Sequence, residues 1–134
     1  MNDAPATVRI GRIVGPHLDN QCLLLVEDET IVALLVEEML TELGCRQVLH
    51  AAAVPEALML LRGRRPDAAI LDVNLKNVPV YPVAEHLAAA GVPFAFATGY
   101  GRGGLAYRWK DMPVIRKPIE RSSLVAALNS MLRS

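Results

Sequence analysis

The stretch CLLLVEDE, residues 22–29, decides the fold. Its first five residues are apolar, and such a run is typical of a short strand buried on both faces of a parallel sheet. The run stops abruptly at three acids, Glu27, Asp28 and Glu29. In an open parallel sheet, ligands bind where the strands end, so these acids indicate a polar functional edge.

Strands and helices alternate along the rest of the chain. Apolar runs predict strands over 22–26, 47–51, 66–71, 93–97 and 112–115. Helical spacing, with Gly or Pro near the ends, predicts helices over 28–43, 55–61, 80–90 and 119–132. In the first helix this spacing places Leu35 and Val36 on the inner face. The alternation predicts an α/β fold, a doubly wound parallel sheet with helices on both faces and right-handed crossovers. The segment between the last two strands is glycine-rich, so we expect a short or irregular fourth helix there.

Composition argues against several classes of function. Lys plus Arg and Asp plus Glu both total 14, so the formal net charge is zero. A nucleic-acid-binding surface usually shows a basic excess or stripe, and we therefore expect no nucleic-acid partner. No apolar run reaches the length of a membrane span, and the N-terminus lacks the apolar segment of a signal peptide. We expect a cytoplasmic protein without a membrane partner.

Polar side chains collect at the ends of the predicted strands, which share one edge of the sheet. Singly, each has an ordinary alternative role, as a helix N-cap, a loop acid, a strand-end hydroxyl or a solvated lysine. Together, clustered carboxylates repel one another unless a cation lies among them, and a ligand set made only of oxygens suits Mg²⁺. In chain order these residues are Glu27, Asp28, Asp72, Asn74, Thr98 and Lys117, and Pro118 follows the last of them.

This set, in this order and at these strand ends, resembles that of a response-regulator receiver domain of the CheY-like kind. The resemblance covers about residues 21–133. It implies a flavodoxin-like (βα)5 sheet with strand order 2-1-3-4-5. It also implies a receiver domain over 21–134 that follows an N-terminal extension over 1–20. The implied function is that of a phosphoacceptor in a two-component signalling system, which receives a phosphoryl group from a sensor histidine kinase or a phosphotransfer protein.

The resemblance assigns roles to the acidic residues. Asp72 would be the phosphoacceptor, attacking the phosphorus of a phosphohistidine. Asp28, Asp72 and the backbone carbonyl of Asn74 would hold Mg²⁺, and Glu27 would complete the acidic pocket through water. A cis peptide bond between Lys117 and the following proline is also implied.

The resemblance further implies a switch, and here the sequence departs from the family pattern. Lys117 would neutralise the phosphoryl oxygens, and Thr98 would donate its hydroxyl to the attached group and draw in the loop that follows. The strand-five position three before Lys117 is commonly Tyr or Phe in this family, but here it is Val114. Tyr100 or Tyr107 is a candidate for the missing aromatic. The affected face would comprise the fourth helix, the fifth strand and the fifth helix, and it would bind a downstream protein whose identity the sequence does not give.

The motif PFAFATGY, residues 93–100, resembles that of the FATGUY subgroup of stand-alone alphaproteobacterial receivers, which is linked to HWE-type histidine kinases. We therefore expect a single-domain regulator with no output domain. We do not expect an enzyme, because the chain would catalyse only its own phosphorylation and slow dephosphorylation. A phosphate shuttle or sink in a phosphorelay is the alternative role.

Three rival classes share parts of this pattern. Gly99, Gly101 and Gly104 form a G-x-G-x-x-G, but a dinucleotide site needs that motif after the first strand and at the start of a full helix. An aspartyl-phosphate-forming hydrolase usually has a second acid two residues after its nucleophile. Here Asn74 stands two residues after Asp72 and cannot act as a general acid or base. A receiver used only for binding would not need the complete set of acceptor, metal and lysine residues.

Overall fold

The computed structural model describes residues 18–132, in which a five-stranded parallel sheet is packed between helices. The strands are β1 (Cys22–Val26), β2 (Gln47–Ala51), β3 (Ala68–Asp72), β4 (Phe94–Thr98) and β5 (Val114–Arg116). The helices are α1 (Thr30–Glu42), α2 (Val54–Leu60), α3 (Tyr81–Ala89) and α4 (Arg121–Leu132). Strand order β2-β1-β3-β4-β5 confirms the predicted flavodoxin-like topology.

The connection between β4 and β5 lacks an α-helix. Two short 3₁₀ turns, Gly101–Gly104 and Tyr107–Trp109, take its place. This confirms that the helix expected between the last two strands is short and irregular, and the regular helix α4 follows β5. A small antiparallel hairpin after β3, pairing Asn74–Leu75 with Val78–Pro79, was not predicted from the sequence.

Alternate side chains of β1 enter two different cores, one on each face of the sheet. Leu24 and Val26 join the core beneath α2 and α3. Leu23 and Leu25 join the core beneath α1 and α4. Because both faces are covered, the strand needs an apolar side chain at every position, and this accounts for its unbroken apolar run.

The inner face of α1 differs from the prediction at one position. Val36 is buried, but Leu35 is 54% exposed. The buried line of α1 continues from Val36 to Leu40 instead. Since α1 carries apolar residues on two neighbouring lines, the helical period alone could not decide which line faces the sheet.

Most of the predicted N-terminal extension, residues 1–17, lies outside the described part of the chain, so the division at residue 20 stays a prediction. Leu18, close to that division, is fully buried in the core beneath α1 and α4. Across residues 18–132, none of the helices has the length and apolar character needed to cross a membrane.

The two-sided core generates a stability prediction. Leu24→Ala should lower the free energy of unfolding by about 2–5 kcal/mol, because the fully buried side chain leaves a cavity in the centre of the sheet. Leu34→Ala is the matched control, because Leu34 lies on α1 with 59% of its surface exposed and its loss should change stability by less than about 1 kcal/mol. Urea denaturation measures both. Equal losses would contradict the described core.

Candidate functional site

The sheet brings the predicted site residues to one edge. Glu27 and Asp28 follow β1, Asp72 ends β3, Thr98 ends β4, and Lys117 follows β5. Neighbouring strands are paired almost to these ends, with Val26 opposite Leu71 and Asp72 opposite Ala97, so the polar groups emerge side by side. They open into a pocket of about 800 Å³. Its lining includes Asp28, Glu29, Asp72, Asn74, Asn77, Tyr81, Thr98, Tyr100, Gly104 and Lys117.

Lys117 is the centre of the charges in this site. Its Nζ lies 3.1 Å from Glu27 Oε1 and 3.3 Å from Asp72 Oδ2. Glu27 and Asp72 are both buried, so water screens these contacts little. A longer contact of 3.7 Å reaches the exposed carboxylate of Glu29. One ammonium therefore holds two buried carboxylates together.

Glu27 has its position fixed by backbone contacts as well. Its Oε2 accepts a hydrogen bond of 3.1 Å from the Glu29 N–H. Its backbone carbonyl oxygen lies 2.9 Å from His50 Nε2 on β2, and its N–H donates to the Ala51 carbonyl. Glu27 is thus held in a fixed position beside Lys117 and Asp72.

Burial and neighbouring charges shift the pKa values of Asp72 and Lys117. Burial raises the pKa of Asp72, and repulsion from Glu27 raises it further, whereas Lys117 and the Asn74 N–H oppose the rise; the result is about 7. Burial alone would lower the pKa of Lys117, but the hydrogen bonds and charges of Glu27 and Asp72 outweigh it and the pKa is raised. Lys117 therefore stays cationic, and Asp72 releases its proton only near neutral pH.

The acidic residues fit a divalent cation. Carboxylate oxygens of Glu27, Asp28 and Asp72 lie within 4.8 Å of one another. Asp28 does not occupy the N-cap of α1, which falls at Glu29, so the helix-capping alternative is excluded. Asn74 lines the same pocket, and its N–H donates to Asp72 Oδ1 at 3.3 Å. Three clustered oxygen ligands with room for water match the ligand set that Mg²⁺ prefers.

Thr98 joins the pocket to the loop that follows β4. It is buried, and its Oγ1 accepts a hydrogen bond of 3.0 Å from the Tyr100 N–H. Gly104 comes back against the same hydroxyl, because a Cβ there would lie 3.4 Å from Thr98 Oγ1 and 3.2 Å from Tyr100 Cβ. Gly101 turns the loop at φ +62° beneath the guanidinium of Arg116. These glycines shape a tight 3₁₀ turn and do not begin a full α-helix, which is contrary to a dinucleotide site.

The candidate switch residues differ in their surroundings. Val114 is half-buried on β5, opposite Phe96. Tyr100 and Tyr107 are 84% and 80% exposed, so neither ring is packed into the core. The Lys117–Pro118 bond is cis, as expected.

Sequence reasoning missed Tyr81, which lines the pocket from the first turn of α3. The proline that follows it marks a helix start and was the only available signal.

An open parallel sheet of this order, with acids, a hydroxyl and an ammonium at its strand ends, defines the receiver class. The family model for the response regulator receiver domain matches residues 23–129. The chain therefore belongs to this family, whose members act in two-component systems with histidine kinases or phosphotransfer proteins.

Individual relatives agree with this assignment. The solution structure of SdrG from Sphingomonas melonis Fr1 is 38% identical, with a TM-score of 0.76, covering 85% of this chain and 98% of that one. The receiver domain of the Pseudomonas aeruginosa sensor histidine kinase PA1611, with a magnesium ion coordinated in its active-site cleft, is 27% identical, with a TM-score of 0.75 and coverage of 86% and 99%.

A curated relative, the transcriptional regulatory protein PdtaR of Mycobacterium tuberculosis, is 29% identical over 125 residues. The match covers 87% of this chain but 61% of PdtaR, so this chain spans less than two thirds of that relative.

The raised pKa of Asp72 predicts how stability depends on pH without Mg²⁺. An unfolded Asp has a pKa of about 4, so between about pH 4 and 7 the folded chain holds a proton that the unfolded chain has released. This contribution to stability is present at acid pH and is lost as the pH rises through the folded value of about 7. In EDTA, Asp72→Asn should therefore gain stability relative to the unsubstituted chain between about pH 5 and pH 8. Denaturation at a series of pH values measures the difference, and parallel curves would contradict the shift.

Proposed function

We infer that the chain is a phosphoacceptor response regulator that carries its phosphoryl group on Asp72. The observation that supports this most is the buried Asp72 carboxylate at a strand end, 3.3 Å from an ammonium and open to a pocket. In the transfer, a carboxylate oxygen attacks the phosphorus of a phosphohistidine in line with its P–N bond. The new O–P bond gives an acyl phosphate, and the imidazole nitrogen leaves with the electron pair.

Lys117 would stabilise the charge on the phosphoryl group during this transfer. Its Nζ already lies on the Asp72 side of the pocket, so little reorganisation is needed when the anion arrives. Glu27 holds the ammonium from the other side. The lysine is therefore a preorganised partner for an oxygen of the transferred group.

Glu27, Asp28, Asp72 and Asn74 would hold Mg²⁺ beside the acceptor, with the backbone carbonyl of Asn74 among its ligands and Glu27 acting through water. Bound there, the ion would neutralise charge on the phosphoryl oxygens. The clustered carboxylates and the magnesium-bound cleft of the PA1611 receiver support this assignment.

Thr98 would read the state of Asp72. Its hydroxyl now accepts from the Tyr100 N–H, and the same hydroxyl can instead donate to an oxygen of the phosphoryl group. Recruiting Thr98 towards Asp72 would release Tyr100 and move the loop that follows β4. The exposed Tyr100 ring and Val114 lie on that side of the molecule, where a downstream protein would bind.

The phosphodonor is proposed to be a histidine kinase or a phosphotransfer protein. Membership of the receiver family supports that class of donor. The narrower choice of an HWE-type kinase depends on the motif PFAFATGY alone. The chain would act on itself and turn over no separate substrate.

Intact-mass measurement tests the proposal. With Mg²⁺ and acetyl phosphate, the unsubstituted chain should gain one phosphoryl group, because Asp72 can accept it without a kinase. Asp72→Asn should gain none, whereas Asp111→Asn should be modified as the unsubstituted chain is, because Asp111 is an exposed acid outside the pocket.

No adduct in any of these chains would contradict the proposal. Continuous release of inorganic phosphate at the rate of an enzyme would instead favour the hydrolase.

A further inference from the structure

Tyr81 connects the acidic pocket to the loop between β4 and β5. Its ring lines the pocket that contains Asp72 and Thr98. Its hydroxyl accepts a hydrogen bond of 2.8 Å from the Ala106 N–H. The ring also stacks on Trp109, with centroids 6.5 Å apart and planes 16° apart, and meets Phe96 edge-on at 5.9 Å. Tyr81 is thus in contact with both the pocket and the far side of the loop.

The loop is held to itself as one unit. The Arg102 guanidinium donates to the carbonyls of Lys110 at 2.9 Å and Met112 at 2.8 Å. Gly104, two residues before Ala106, is close to both Thr98 and Tyr100, because a Cβ there would lie 3.4 Å from Thr98 Oγ1 and 3.2 Å from Tyr100 Cβ. A displacement of Thr98 would take its hydroxyl away from the Tyr100 N–H and so remove a hydrogen bond that holds the start of the loop. Because Arg102 ties this part of the loop to Lys110 and Met112, the loop would then move as one unit.

We propose that the Tyr81 hydroxyl is a latch that holds this loop in its resting position, and that phosphorylation of Asp72 must open the latch. This rests on the proposed function, because Thr98 moves only if Asp72 accepts a phosphoryl group. Once Thr98 has released Tyr100, the loop would shift and draw the Ala106 N–H away from Tyr81. Tyr81 is a positioning residue, since it acts through the loop and touches no reacting atom.

The latch would give this protein an aromatic link between pocket and loop, although the usual aromatic residue of the switch is absent. Val114 carries no ring, and the rings of Tyr100 and Tyr107 are exposed. Tyr81 and Trp109 instead provide a stacked aromatic pair between pocket and loop. Trp109 is the single tryptophan of the sequence, so its fluorescence reports the position of the loop directly.

If switching breaks the hydrogen bond, the hydrogen bond must in turn oppose switching by the same free energy. If the hydrogen bond favours the resting loop, its removal must make the switched state easier to reach. Titration with beryllofluoride in Mg²⁺, followed by Trp109 emission, gives the midpoint of switching. Tyr81→Phe keeps the ring and should switch at a concentration lower by about two- to tenfold, the range of one neutral hydrogen bond. A variant that only destabilised the fold would not switch at a lower concentration of beryllofluoride.

A second variant removes the same bond from the donor side. Ala106 has φ −63° and follows Leu105 in an extended conformation, so proline fits there and deletes only the N–H. Ala106→Pro should shift the midpoint in the same direction as Tyr81→Phe. The double variant should shift it no further than the larger single shift, because both remove one interaction.

Tyr107→Phe is the matched control, since it removes only the hydroxyl of an exposed tyrosine in the same loop and keeps the ring that a switch aromatic would need, so the midpoint should be unchanged. Unchanged or raised midpoints in Tyr81→Phe, additive shifts in the double variant, or constant Trp109 emission in the unsubstituted chain would each overturn the latch. The proposed function is decided separately by the mass change with acetyl phosphate. A chain that gains the phosphoryl group but shows no effect of Tyr81→Phe would therefore refute the latch alone.

Discussion

The contact between the Lys117 ammonium and two buried carboxylates is the interaction on which the site depends. Lys117 Nζ lies 3.1 Å from Glu27 and 3.3 Å from Asp72. Without it, two buried carboxylates would repel each other, and burial would favour their protonation. With it, Asp72 retains a pKa of about 7, between that of an exposed acid and that of an uncompensated buried one. One ammonium offsets only one of the two charges, so the site retains an attraction for a further cation.

The sheet supplies the rigidity that this charge arrangement needs. Residues on separate strands are brought together because β1, β3, β4 and β5 run parallel with their ends level, and apolar cores on both faces hold that register. In the proposed switch, Thr98 is the boundary between the sheet and the loop that would move. It ends β4, and its hydroxyl bonds to a loop of two 3₁₀ turns in place of a packed helix. A change at Asp72 would therefore reach this loop through Thr98.

Local pattern predicted the strands and the identities of the residues at their ends. The continuous apolar runs follow directly from burial on both faces of the sheet. The polar residues that come at or just after the end of each run then mark the functional edge. The hairpin after β3 could not be predicted, because two-residue strands leave no period to detect. The role of Tyr81 was equally hidden, since it depends on Ala106 and Trp109, 25 and 28 positions away in the chain and brought near only by the fold. Leu35 was predicted on the inner face of α1 but is exposed, because helical spacing gives two candidate faces and only packing against the sheet decides between them.

Among the clustered acids, Asp72 is the one that we propose to carry the phosphoryl group. Borohydride reduces an acyl phosphate to an alcohol, so it converts a phosphorylated aspartate into homoserine and leaves free carboxylates unchanged. The most direct measurement is to treat the chain with acetyl phosphate and Mg²⁺, reduce it, digest it and sequence the peptides by mass spectrometry. We expect homoserine at position 72 alone. A reduced side chain at Asp28 or Glu27, or a phosphoryl group that resists reduction on Thr98, would contradict the account.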